Sequence, residues 1–360
     1  MVSMLASAQS TSLDSVKLTY IPPMAWEPQT YVCQQPIDGI IIDGLDHETS
    51  WKTLLWSDDF VDLESGGKSL PEKKANIKLL WDEEYLYLFA KMDESDIWAT
   101  LNERDAIIYQ DDAFEIFIDP DGDAHNYYEF QINALNTLWD LFVLWPYREK
   151  QGPNYLSQWD ARGIQHAVHV EGTLNDGTDQ DAYWTIEMAI PWSAIQEMAP
   201  RRKAPQSNDQ WRMNFARVDW PMKIINGSYE KLKNYDGRIF SENYTAWSPH
   251  GEVAMHMPEW WGYVQFSDAK VNEPAPKFKV KPDEEIKWAL WQLYYQQKEF
   301  YEKTGQYASS IEQIMIPTVE TCSFEPTLSK GEYGFHFSVL ACNGKGVWMI
   351  NERGLINYDL

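Results

Sequence analysis

Basic residues are in short supply. Only 30 Lys and Arg stand against 55 Asp and Glu in 360 residues, a formal net charge of −25. A field of that sign repels phosphate backbones, so nucleic acid is not an expected partner. No apolar run reaches the ~20 residues needed to cross a bilayer, and no membrane span is expected. Cysteine is scarce: Cys33, Cys322 and Cys342 cannot all pair within one chain. Cys322 with Cys342 is open to a disulfide in an exported protein, and Cys33 reads as a buried thiol. None of the three has zinc spacing, the seven histidines form no H-E-x-x-H, and no G-x-S-x-G elbow occurs. With 19 Gly and 19 Pro the chain is not of low complexity.

What is abundant is aromatic. Eighteen Trp and 20 Tyr exceed what a core needs, which points to partly exposed rings able to stack on a ligand. The acidity then reads as solubility, or as suited to a cation or a neutral ligand. Short strands separated by turns run from Tyr31 onward. Ile77–Trp81 and Tyr85–Ala90 read as a hairpin about Asp82-Glu83-Glu84, and further strands are expected at Phe114–Asp119, Tyr128–Asn133, Leu138–Trp145, Ile164–Glu171, Ala182–Ile190, Trp211–Val218 and Tyr263–Phe266. Pro191–Ile195 reads as a short helical turn. The pattern predicts a mainly β protein, an antiparallel two-sheet β-sandwich over residues 31–268, with long loops around 46–76 and 220–260. Residues 1–30 read as a lead-in, and Met4–Ser10 contains a small-x-small pattern like the end of a secretory signal, so a secreted or periplasmic location is expected.

Residues 269–282 form a Pro- and Lys-bearing linker. Beyond it, residues 283–360 predict a small α+β unit: a helix capped by Asp283 and closed by Gly305, a Ser309/Glu312 capping box, then three strands at Tyr333–Ala341, Gly346–Asn351 and Leu355–Tyr358. Part of it, Leu290–Tyr295 through Gly305–Ala308, resembles the post-membrane part of type IV pilin-like proteins. No apolar helix precedes it, so pilus assembly is not implied. The expected role of this unit is contact with a protein partner or with the sandwich.

One stretch stands out chemically, Tyr109-Gln110-Asp111-Asp112-Ala113-Phe114-Glu115-Ile116-Phe117-Ile118-Asp119. Alternation puts Phe114, Ile116 and Ile118 on one face of a strand, and Glu115 with Phe117 on the other. A carboxylate beside aromatic rings is what a pyranose needs, since rings stack on C–H groups and carboxylates accept from hydroxyls. The stretch belongs to an ordered series: Ile42-Asp43-Gly44-Leu45-Asp46, Trp51, Leu80–Tyr87, the stretch itself, Tyr128–Asn133, Trp184–Trp192, Trp247-Ser248-Pro249 and Trp261-Gly262. Taken together the series resembles the family 9 carbohydrate-binding modules and their relatives. The resemblance implies a non-catalytic lectin-like sandwich, exported, linked to polysaccharide breakdown or uptake, that clamps a saccharide between aromatic rings and sometimes carries structural calcium.

Carried over by position, the resemblance puts the first clamp ring at Tyr109 and two polar contacts at Glu115 and Gln131. Met255 or His256 stands where a second ring is expected, and Trp98 and Trp247 are candidates to replace it, Trp98 as an exposed ring among polar residues. Arg104 and Arg217 are candidates for the same site, as donors to a saccharide or as ion-pair partners of Glu115. Asp119, Asp121 and Asp123 alternate about Gly122 and offer hard oxygen ligands suited to Ca²⁺, without EF-hand spacing. No cofactor is required by this reading. Two rival readings remain: a glycoside hydrolase built on a carboxylate pair such as Glu115 and Asp112, and a haem-binding redox sandwich using the triplet Met255-His256-Met257.

Overall fold

The computed structural model describes residues 16–64, 73–149 and 152–360. The small-x-small segment near the start lies outside them. Two compact units result: Pro23–Lys279, and residues 16–22 together with Val280–Leu360.

The larger unit is built from β1 (Thr30–Gln35), β2 (Val61–Asp62), β3 (Ala75–Trp81), β4 (Tyr85–Asp93), β5 (Ala113–Asp119), β6 (Tyr127–Asn133), β7 (Leu138–Val143) and β8 (Tyr155–Leu156). It continues with β9 (Gln165–Glu171), β10 (Tyr183–Pro191), β11 (Gln210–Asp219), β12 (Met222–Ile225), β13 (Ser228–Lys231), β14 (Asn243–Ala246) and β15 (Gly262–Lys270). One layer runs β8-β7-β6-β5-β11-β15-β1, with β14 on β11 and β2 on β14. The other runs β3-β4-β10-β9. The sandwich is thus as expected, with one departure from antiparallel pairing. β1 runs parallel to β15 and, through Gln34, parallel to β3, so it joins the two layers. The span 220–260 is not all loop, since β12 and β13 form a hairpin there and β14 pairs with β11.

Alternation decides the core. Phe114, Ile116 and Ile118 of β5 meet Phe130 and Ile132 of β6, and Met213 and Phe215 of β11. From the opposite layer come Ile77, Leu79, Leu88, Ile186 and Met188. Trp51, Trp81 and Trp184 are buried, as the sequence implied. Several pieces of the ordered series converge on one buried acid. Glu187 accepts from Asp43 N and Gly44 N through Oε2, and from Trp51 Nε1 through Oε1 at 2.8 Å. These bonds offset the cost of burying a carboxylate. Gly44 (φ +85°) closes the turn, where a Cβ would lie 2.9 Å from His169 N.

In the second unit a helix spans Glu284–Thr304 and ends at Gly305 in the left-handed region. Asp283 stands at its N-cap without a side-chain capping bond. Its carboxylate instead accepts from Cys342 N and Trp348 Nε1, tying the helix to the sheet. The capping box falls on Ser310 and Gln313 rather than Ser309 and Glu312, one residue further on. A four-stranded antiparallel sheet (Thr327–Lys330, Phe335–Leu340, Val347–Asn351, Ile356–Asp359) completes the unit, one strand more than expected. Cys322 and Cys342 are disulfide-bonded, and Cys33 is a buried thiol. Within this unit Thr19 N and Tyr20 N donate to Glu299, and Tyr20 stacks on Tyr295 at 5.1 Å.

Candidate functional site

The outward face of β5, β6, β7 and β11 carries a cluster of buried acids among aromatic rings. Glu115 pairs in register with Gln131 on one side and Ala216 on the other, while Phe117 pairs with Glu129. Period two therefore puts Glu115, Glu129 and Gln131 on one face, and all three are buried. Gln131 is not a solvated strand residue: its Oε1 accepts from Tyr109 N at 2.8 Å, and its Nε2 donates to Glu129 Oε1 at 2.6 Å. It is a brace that fixes the Tyr109 turn above the floor. Glu129 Oε2, by contrast, is buried and has no hydrogen-bond partner among the described residues.

Aromatic rings surround this floor. His256 sits 5.6 Å from Phe117 and 3.9 Å from Tyr147 between ring centroids, and its Nδ1 lies 2.8 Å from Tyr127 Oη. Tyr147 is 42% exposed and stands 6.4 Å from Tyr155, so the rim offers ring faces to solvent. Tyr109 and Tyr244 are half-buried against the same apolar cluster.

Burial governs the electrostatics. It pushes the Glu129 carboxyl up to about 7, against the lowering effect of the Gln131 bond. It raises Glu115 well above the carboxylate range, helped by the charges of Glu129 and Glu242. His256 is held down to about 3 by burial, with His250 and Arg148 adding to the effect. The ring is neutral at pH 7, so its 3.8 Å approach to Glu129 is neither an ion pair nor a hydrogen bond. Tyr147 and Tyr244 are raised, first by burial and then by the carboxylates beneath. The cluster is thus rich in oxygen atoms and weakly charged, beneath the partly exposed ring of Tyr147.

Of the expected residues, Tyr109, Glu115, Gln131 and His256 come together here. Four do not. Trp98 is buried, not exposed, and lines a different cleft with Met222 and Tyr229. Its neighbours Ile97 and Ala99 are equally buried, so the polar residues around them misrepresent the segment. Trp247 lies in the core, 5.6 Å from Phe215. Arg217 is on the inner face, because Ala216 takes the outward position opposite Glu115. It binds Glu94, Asp219 and the Asp93 carbonyl instead. Arg104 pairs with Asp140 and Asp160. Neither arginine forms an ion pair with Glu115 among the described residues. Sequence reasoning missed Glu129, Tyr147 and Tyr244. Glu129 was within reach, since it shares strand parity with Gln131.

Asp112 groups with Glu94 and Asp219, beside Lys73 and Arg217, rather than with Glu115, so that carboxylate pair is not assembled. The haem triplet is engaged elsewhere. His256 uses Nδ1 on Tyr127, the Met255 side chain packs in the apolar cluster, and the Met255 carbonyl accepts from Trp261 Nε1.

Asp119, Asp121 and Asp123 each bring one carboxylate oxygen within 4.8 Å of the others. Burial, then the charge of Asp121, pushes Asp123 up to about 7, and Asp119 is raised by burial and by both neighbours. Three converging oxygens whose charges oppose one another fit a hard divalent cation.

A family model described as carbohydrate family 9 binding domain-like matches residues 42–223. Among curated proteins the chain is 26% identical over 121 residues to Exoglucanase XynX of Acetivibrio thermocellus, covering 34% of this chain and 9% of that protein. It is 36% identical over 121 residues to Endo-1,4-beta-xylanase A of Thermoanaerobacterium saccharolyticum, covering 34% and 8%. The chain therefore spans less than a tenth of the length of these relatives. Solved structures similar to it include a carbohydrate binding module family 9 from Caldicellulosiruptor kristjanssonii in complex with cellotriose (15% identity, TM-score 0.43, 70% of this chain and 100% of that one). Another is a putative carbohydrate-binding protein from Bacteroides uniformis (14% identity, TM-score 0.47, 67% and 100%).

Proposed function

The chain belongs to the carbohydrate family 9 binding domain-like family, and on that premise we propose that it is a non-catalytic module holding a saccharide over the tyrosine-rimmed acids Glu115 and Glu129. The observation that carries the reading is Glu129 Oε2, a buried oxygen without a hydrogen-bond partner among the described residues, beneath partly exposed rings. A sugar hydroxyl supplies that donor, and the rim tyrosines cover the C–H faces of the ring. The curated relatives are named for acting on glucan and xylan. Cello- and xylo-oligosaccharides are therefore the first probes, and an exported protein of polysaccharide breakdown is the setting the reading favours.

Titration calorimetry tests this. At least one of the two series should bind, and Tyr109→Ala should weaken it by roughly tenfold or more, since a ring stacked on a ligand contributes ~1–3 kcal/mol. Absence of heat with both series, or equal binding by Tyr109→Ala, would sink the reading.

In the same reading Asp119, Asp121 and Asp123 hold a calcium-like cation that neutralises their mutual repulsion and fixes the β5–β6 turn. Calcium added to chelator-treated protein should raise the melting midpoint by roughly 5–10 °C at saturation, and Asp121→Asn should remove most of that gain. Equal midpoints in calcium and in chelator would refute it.

A further inference from the structure

Near Tyr109 lies a second cleft of about 400 Å³, lined by Trp98, Thr100, Asn175, Met222, Tyr229 and Lys231. Its size is within the ~300–1,000 Å³ usual for small-molecule sites. One wall is the β12–β13 hairpin, whose tip is held by the bond from Gly177 N to Gly227 O. Trp98 is 4% exposed, and its Nε1–H has no hydrogen-bond partner among the described residues. A buried donor left without an acceptor is costly, and such groups need an explanation.

Four other polar groups of the cleft are engaged within the chain, while Ser228 also lines it. Thr100 Oγ1 donates to Asp111, Asn175 exchanges two bonds with the Ala99 backbone, and Tyr229 Oη reaches Asp96 and the Asp176 carbonyl. Lys231 Nζ bonds the Gln110 carbonyl and stands over two indoles, 3.2 Å from the Trp220 centroid and 5.8 Å from that of Trp98. A cation over a ring face occupies the position that the positively polarised C–H face of a pyranose takes. The adjoining hollow is lined by charges of both signs, Asp96, Asp112 and Asp219 with Lys73 and Lys223, so it does not call for a charged ligand. Trp220 also connects the two sites. Its Nε1 donates to the Tyr109 carbonyl at 2.9 Å, and its ring packs against the apolar cluster of the first site.

We propose that this cleft is a second sugar-ring subsite for the same oligosaccharide, in which a neutral pyranose displaces Lys231 Nζ from the indoles and accepts a hydrogen bond from Trp98 Nε1. The inference rests on the saccharide reading given above, and its test separates the two. The full-length chain, labelled with ¹⁵N at tryptophan, is titrated with xylobiose and cellobiose, then with xylohexaose and cellohexaose. A hexaose should shift the Trp98 indole N–H resonance, assigned through its contacts to Lys231, and the disaccharides should leave it in place. Trp98→Phe keeps the ring and removes the donor. It should weaken hexaose binding about tenfold and leave disaccharide binding unchanged. A Trp98 resonance unmoved at saturating hexaose, with disaccharide binding intact, would overturn the second subsite and leave the first standing. If no sugar of either length binds, both fall. The wild-type resonance decides the matter even if the variant fails to fold.

Discussion

Glu129→Gln is expected to abolish most saccharide affinity while leaving the fold intact or more stable. Gln at this position keeps an oxygen for the Gln131 Nε2 bond, which is 2.6 Å long in the native chain. What changes is the other atom: an amide donor replaces Oε2, which has no hydrogen-bond partner among the described residues. At pH 8, where Glu129 is ionised, a hydrogen bond to the charged carboxylate contributes ~1.5–3 kcal/mol, which corresponds to roughly a 10- to 150-fold loss of affinity. If Glu129 were only a structural acid, calorimetry would show unchanged affinity, and that result would remove the central support for the proposed site.

The same variant has a pH signature. The folded chain holds the Glu129 proton up to about 7, against an ordinary value of 4.5. A carboxyl raised in this way contributes stability that is fully present below about 4.5 and lost as pH climbs through about 7. Glu187, also pushed up to about 7 by burial, adds to the trend. The wild-type melting midpoint should therefore fall between pH 5 and pH 8, and the fall should be shallower in Glu129→Gln. At pH 8 the variant should exceed the wild type by on the order of 2 kcal/mol. An equal slope in the two proteins would show that Glu129 ionises as freely folded as unfolded.

Strand periodicity carried the sequence reading far where one face was plainly apolar. Phe114, Ile116 and Ile118 marked the core side of β5, so the outward placement of Glu115 and the location of Gln131 followed. It failed on β11, where Asn214-Phe215-Ala216-Arg217 alternates small, aromatic and polar groups on both faces. Only the pairing of Ala216 with Glu115 shows that Arg217 points inward. The opposite wall was illegible for another reason. Tyr147 comes from the turn after β7, and Tyr244 from β14, whose register on β11 places it opposite Val218. Neither position follows from local pattern. Trp98 was misplaced because polar flanking residues say little about a ring buried by long-range packing, and Trp247 is buried in the core as well. His256 was the informative oddity: in place of a second clamp ring, a neutral imidazole packs between Phe117 and Tyr147.

The closing Trp261-Gly262 pair of the ordered series has a packing cause, and Gly262→Ala should be among the most damaging single-methyl changes in the sandwich. A Cβ on Gly262 would lie 2.3 Å from Trp247 Cζ3 and 2.8 Å from the Gln29 carbonyl oxygen. Neither neighbour yields easily. Trp247 is buried in the core, and the Gln29 oxygen already accepts from Tyr263 N at 2.8 Å, holding the start of β1 to β15. Overpacking of this kind costs ~3 kcal/mol, which would lower the melting midpoint by roughly 6–12 °C. Because the clash is with one ring, Trp247→Phe should recover part of the loss when combined with Gly262→Ala, although alone it leaves a cavity. Denaturant melts of the two single variants and the double variant measure that coupling. Strictly additive losses would mean that the glycine is required by the Gln29 carbonyl rather than by Trp247. A Gly262→Ala protein as stable as the wild type would mean that β15 moves aside, and with it the strand that fixes β1 between the two layers.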